Sequence, residues 1–308
     1  MLEVKKIREL TMKKSQAAGA AYVSAASGIA VAGNHVYIAA DDQLCLACFK
    51  LDDDEPGDWL RLFSGDLPAD HAQRKKAKPD LEAICILPAN KFAIHGALLV
   101  VSSGSKEWRF NSCLLPLDGE GKIAGEPLPL DFSRLFSFLK TKMTKLNIEG
   151  VCVYGEKLLL ANRGNSKRGD NAVIALDLSK FVHQAYDTHN IDGQSFLFVR
   201  HNDLGQVKDV PLSFTDLCTL AGGQIVYCAA AESTDDDYFD GPCAGSALFV
   251  GDGSFQNLRT EILDTSLKVE GVCAKPGQNT GTQVELILVT DGDADASVAT
   301  MLSTRLSL

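Results

Sequence analysis

The chain has 308 residues, 45% of them hydrophobic and 23% charged, a composition that excludes a disordered, collagen-like or coiled-coil protein and fits one large core or two smaller ones. A formal net charge of −10 repels phosphate backbones, and the one basic cluster, Arg74-Lys75-Lys76 with Lys78, is too short to reverse that field, so no nucleic-acid partner is expected. No apolar stretch reaches the roughly 18 residues that cross a bilayer, and charges recur through residues 1–14 where a signal peptide needs an apolar run; neither membrane anchoring nor export is expected.

In chain order the predicted strands form a repeat. Residues 4–10 read as a lone strand. Ser27-Gly28-Ile29-Ala30-Val31 then pairs through a turn with 36–40, and a third strand covers 44–51. The same order returns at Glu82-Ala83-Ile84-Cys85-Ile86 with 97–101 and 112–117, and at Glu149-Gly150-Val151-Cys152-Val153 with 157–161 and 172–178. It returns again at Asp216-Leu217-Cys218-Thr219-Leu220 with 224–228 and 246–250, and at Glu270-Gly271-Val272-Cys273-Ala274 with 286–290 and 300–306. The copies start 55, 67, 67 and 54 residues apart.

Units of this size, each of three or four antiparallel strands, are propeller blades that bury their faces against one another. The expected fold is therefore all-β, a five-bladed β-propeller forming a single domain over 1–308. The last repeat lacks an outer strand, which residues 4–10 are expected to supply, leaving no open edge. The segment 177–213 is long enough for a degenerate sixth blade, which stays as the alternative. Apolar spacing at Leu135, Phe136, Phe138 and Leu139 predicts a short helix within 130–143.

Nine cysteines, most of them inside apolar strands, point to a reducing compartment, most simply the cytoplasm. Cys45-Leu-Ala-Cys48 has the CxxC spacing but no second pair, and reads as structural. The run from Asp291 to Asp295 starts like an EF-hand loop, yet Ala296 and Leu302 occupy the Gly and Glu positions, so that reading is rejected.

Four of the five copies open with an acid: Glu82, Glu149, Asp216 and Glu270. Inner strands converge on the propeller axis, so these carboxylates are expected to share one channel mouth. Like charges so placed need a cation, basic side chains or bound protons. A hard divalent cation, calcium for preference, is the expected cofactor with those four residues as ligands. The alternative is structural, each acid accepting backbone N–H groups from the next blade. Loops after the second strands return to the same face, and supply Lys106, Arg109, Asn162, Arg163, Glu232 and Asp291 as candidate substrate-binding residues, with Asp41-Asp42, Asn165, Ser233-Thr234 and Asp293 beside them.

The acid-Gly-Val start together with Leu-Leu-Leu-Ala-Asn-Arg-Gly-Asn over 158–165 resembles bacterial β-propellers of the phytase-like (esterase-like) group. More distantly the chain is similar to the calcium-dependent gluconolactonase and paraoxonase propellers, whose metal-binding Glu begins an inner strand. The resemblance spans 27–308 and implies a metal-assisted hydrolase of ester, lactone or phosphoester bonds. In that reading the ion polarises the scissile oxygen and a ring carboxylate is the general base. Ser27 departs from the acidic pattern. The competing expectation is a non-catalytic propeller that binds a small molecule or a protein through the same face.

Overall fold

Short, largely apolar runs joined by turns make each repeat an antiparallel sheet buried on both faces, and the computed structural model contains five of them. It describes residues 1–14, 20–164, 171–232, 243–253, 259–277, 282–292 and 297–308; Asn165, Ser233, Thr234, Asp293, Asp295 and Ala296 lie outside the described residues. A strand β1 (Val4–Glu9) precedes blade 1, which runs outward as β2 (Ala26–Ala32), β3 (His35–Ala40), β4 (Cys45–Lys50) and β5 (Asp58–Arg61). Blade 2 comprises β6 (Leu81–Leu87), β7 (Ala97–Ser102), β8 (Asn111–Pro116) and β9 (Leu128–Asp131). Blade 3 comprises β10 (Ile148–Tyr154), β11 (Lys157–Asn162), β12 (Ala172–Asp177) and β13 (Phe196–His201). A two-residue strand β14 (Gln206–Val207) leads into blade 4, made of β15 (Val210–Thr219), β16 (Ile225–Glu232), β17 (Cys243–Gly251) and β18 (Arg259–Ile262). Blade 5 holds β19 (Val269–Ala274), β20 (Gln283–Thr290) and β21 (Thr300–Ser307), and β1 completes it by pairing antiparallel with β21.

The five inner strands close a ring, β2 against β6, β6 against β10, β10 against β15, β15 against β19, and β19 against β2. Between each pair of blades lies an apolar layer; Ile29 and Ile38 of blade 1 share theirs with Ile287 and Val289 of blade 5, which seals the circle. The candidate sixth blade resolves into other elements. Residues 196–201 are the outer strand of blade 3, and 206–207 fold back on the start of β15. Among the described residues three short α-helices sit in connections: α1 (His71–Ala77), α2 (Ser133–Leu139) and α3 (Leu178–Asp187). Asp70 and Asp177 cap α1 and α3 by accepting the backbone N–H of Gln73 and Lys180, each at 2.9 Å. Among the described residues no helix is long and apolar enough to cross a membrane. The nine cysteines are all free thiols.

Every inner strand shifts register at the same place, between Ala26 and Gly28, Leu81 and Ala83, Ile148 and Gly150, Phe214 and Asp216, and Val269 and Gly271. The bulged residues are thus Ser27, Glu82, Glu149, Thr215 and Glu270, and a bulge re-aims the side chain it carries. This corrects the fourth copy by one residue: Thr215 is the counterpart of the acids, and Asp216 that of the glycines. A shift of one turns a strand side chain to the opposite face. The glycine after the bulge answers to crowding between inner strands. A Cβ on Gly28 would lie 2.9 Å from the Glu82 carbonyl oxygen, and one on Gly150 2.8 Å from the Asp216 α-carbon.

Candidate functional site at the channel mouth

The bulges turn Ser27, Glu82, Glu149 and Glu270 toward a cavity of about 500 Å³. Asp80, Asn147 and Lys268, each the residue just ahead of its inner strand, line it too, as does Ser213 of β15. Loops that follow the second strands add Asp41, Lys106, Arg109, Arg163 and Asp291, and the last residue of β16 adds Glu232.

Two ionic clusters fill its floor. In the first, the Lys78 ammonium pairs with Asp41 and lies 3.0 Å from Asp80, while Arg109 holds the other Asp80 oxygen at 2.7 Å. Asp80 sits at φ 62°, a conformation uncommon outside glycine, and accepts the Ser103 hydroxyl as well. Burial works against its ionised form, but Lys78, Arg109 and Ser103 outweigh it and hold the Asp80 carboxyl below its usual value. Glu82 stands beside this group with no side-chain hydrogen bond or ion pair among the described residues. Burial, then the charges of Asp80, Glu149 and Asp41, raise its carboxyl well above the usual glutamate value.

In the second cluster Arg163 reaches Glu149 at 3.4 Å, Glu270 at 3.8 Å, and Glu232. Lys268 lies 2.8 Å from Glu232, 2.6 Å from Glu270 and 3.6 Å from Asp291. Asn147 donates its side-chain amide to Glu149. Despite Arg163, burial pushes the Glu149 carboxyl up to about 8, and burial likewise raises Glu270. Fixed basic side chains, Lys78, Arg109, Arg163 and Lys268, thus pair with most of the acids at this mouth, while burial favours the protonated form of Glu82, Glu149 and Glu270.

Of the sequence candidates, Glu82, Glu149, Glu270, Lys106, Arg109, Arg163, Glu232 and Asp291 come together on the cavity, and two do not. Asp216, 1% exposed, accepts the backbone N–H groups of Leu217 and of Val272 in the next blade, each at 2.8 Å. That is the structural role weighed for the acids as a set, filled by the residue whose register is one off. Asn162 is buried behind the wall, where its side-chain oxygen accepts the Asn147 N–H at 2.7 Å and fixes the approach to β10. Sequence reasoning missed Lys78, Asp80 and Lys268. The signal was available, since Asp80 and Lys268 each stand two residues before a bulged acid.

Asp41, Asp80 and Glu82 each offer a carboxylate oxygen, all within 4.8 Å of one another. Such hard, irregularly placed oxygen donors fit calcium. Lys78 already touches two of the three, so an ion and the ammonium compete for the same negative charge. Among the described residues no comparably tight group includes Glu149, Asp216 or Glu270.

Against known proteins, the model of a family of unknown function (DUF6929) matches residues 22–306, and the chain belongs to that family. No curated protein matches its sequence. Among solved structures, glutaminyl cyclase from Myxococcus xanthus aligns over 100% of this chain and 98% of its own, at TM-score 0.50 and 10% identity, a likeness of fold. A luciferin-regenerating enzyme aligns over 98% and 94%, at TM-score 0.48 and 12% identity. A gluconolactonase from Xanthomonas campestris aligns over 90% and 71%, at TM-score 0.40 and 12% identity.

Proposed function

We propose that this member of the DUF6929 family is a hydrolase of small ester, lactone or phosphoester substrates, acting at the mouth of the propeller channel. The observation that carries the reading is Glu149: a carboxyl on a cavity wall, raised to about 8, beside the fixed Arg163 guanidinium. A group so tuned holds its proton at neutral pH and can pass it to a leaving oxygen, while the neighbouring cation favours the anion left behind. Glu82, with no side-chain hydrogen bond or ion pair among the described residues, faces the same space and is available to a substrate hydroxyl or water. The proton-donor role refines the general-base role expected from sequence.

Asp41, Asp80 and Glu82 are the residues that would hold a calcium ion, which when bound supplies Lewis-acid polarisation of an ester oxygen. A melt checks this directly. Millimolar calcium should raise the melting temperature over that in chelator by mass action, and Glu82→Gln should remove the gain. Equal melts would leave Lys78 and Arg109 as the cations of that cluster. A non-catalytic binding module is favoured by one feature, the extent to which the cavity's acids and bases already satisfy one another. Turnover decides between the two readings. Aryl esters, lactones and phosphodiesters are assayed on the wild type and on Glu149→Gln, where a lost acid should cost about 10²-fold or more in kcat/KM. Absence of any turnover that Glu149→Gln abolishes would overturn the hydrolase reading for these substrates.

A further inference from the structure

We propose that Lys106 and Lys140 form a seat for the phosphate group of a small phosphoester, placed on the cavity wall above the ionic floor. The inference rests on the channel mouth being the ligand site, and is independent of turnover. Four basic side chains of the cavity, Lys78, Arg109, Arg163 and Lys268, are engaged by its carboxylates. Lys106 and Lys140 have no ion pair or side-chain hydrogen bond among the described residues, yet both line the cavity. They stand close enough to act on each other: burial lowers the Lys140 ammonium below its usual value and the Lys106 charge adds to that, with Glu107 opposing. Two unpaired like charges at one cavity wall are an arrangement that a dianion relieves, and lysine is a common point-charge ligand of phosphate.

Both lysines are exposed, but the backbone that carries them is fixed. Gly104, at φ 67°, lies so close to Phe136 of α2 that a Cβ there would fall 2.7 Å from the ring. Lys106 follows two residues later, and the Arg109 N–H closes its loop on the Lys106 carbonyl at 3.2 Å. Lys140 caps α2, its N–H donating to the Phe136 carbonyl at 2.9 Å, one turn on from the residue that Gly104 meets. Leu135, Phe136 and Leu139 anchor that helix in the core between blades 2 and 3. The lining as a whole carries seven acids and eight bases, against a chain at −10, so the mouth is locally much less repulsive to an anion than the surface around it. Glu82, 9% exposed and without a side-chain hydrogen bond or ion pair among the described residues, is placed to meet a donor group elsewhere on the same molecule.

Calorimetric titration of the full chain with inorganic phosphate, and then with phenyl phosphate, tests this, ionic strength being held with sodium chloride. One saturable site per chain is expected. Lys106→Ala and Lys140→Ala should each weaken it about tenfold, about 1.4 kcal/mol. Lys142→Ala, which changes an ammonium over the Phe138 ring and outside the lining, should leave it unchanged. No saturable heat, or equal affinity in the Lys106→Ala/Lys140→Ala double variant, would overturn the proposal. Phosphate binding without ester turnover would remove the hydrolase reading alone. Turnover of neutral lactones without phosphate binding would remove this one alone.

Discussion

Thr215 and Asp216 show how a single position in a bulge decides between chemistry and construction. Thr215 occupies the place held by Glu82, Glu149 and Glu270 elsewhere and donates its hydroxyl to the Val269 carbonyl at 3.0 Å. Asp216 is turned away and ties blade 4 to blade 5 through the Val272 N–H. Asp216→Ala would leave two buried N–H groups unsatisfied at about 1–3 kcal/mol each, so denaturant unfolding should register a loss of several kcal/mol, while phosphate affinity stays within about twofold. Glu149 carries a pH dependence of its own. Its folded value of about 8 exceeds the ordinary glutamate value of 4.5, so the native state keeps a proton that the unfolded chain gives up between those limits. Its contribution to stability is complete below about pH 4.5 and is lost as the pH rises toward about 8. Glu149→Gln should flatten that part of the stability profile in urea melts at a series of pH values, and a wild-type profile that climbs across the interval because of Glu149 would contradict the burial of its carboxyl. As a proton donor the same group should make kcat/KM fall as pH passes about 8.

At the scale of elements, the loop after β7 and the helix α2 act as one piece because Gly104 packs on Phe136. Gly104→Ala adds a methyl where the ring already stands and asks an L-residue to adopt φ 67°. It should cost about 1–3 kcal/mol in stability and weaken phosphate binding more than tenfold, with the far-ultraviolet β signature intact. Inner strands and hairpins were legible because short apolar runs joined by turns recur at blade spacing, and the closing strand because the last repeat lacks an outer one. The stretch 177–213 was not, since its strand 196–201 is only half buried and the helix 178–187 between blade strands hid its membership of blade 3. The floor of the site was legible only in part for a related reason. Alternation marks the face that a residue shares with its neighbours two positions away, but a bulge breaks alternation, and its position in the fourth copy is set by pairing with β16, which the local sequence of β15 does not reveal.

For the molecule as a whole, closure falls to β1. Arg8, 8% exposed, sends its guanidinium to the carbonyls of Asp53, Asp54 and Glu55 at 2.9, 3.1 and 2.7 Å, and lies 5.0 Å from the Phe49 ring centre. It thereby fastens the outer strand of blade 5 to blade 1. Arg8→Ala should lower stability by about 2 kcal/mol, and removal of residues 1–9 by more, because the ring loses both this clamp and the pairing of β1 with β21. Thermal melts of the two variants should rank in that order; an intact melting temperature without residues 1–9 would mean that closure lies elsewhere.

The charged mouth depends on that ring, because its floor is assembled from all five blades while its lysine wall comes from the loop after β7 and from α2. A crystal structure of the wild type soaked with phenyl phosphate bears on both at once. The phosphate is expected in the cavity against Lys106 and Lys140, with the phenyl ester directed toward Glu82 and Glu149. Ligand bound only outside that cavity, or inner-strand bulges that do not bring Glu82, Glu149 and Glu270 to one mouth, would contradict it.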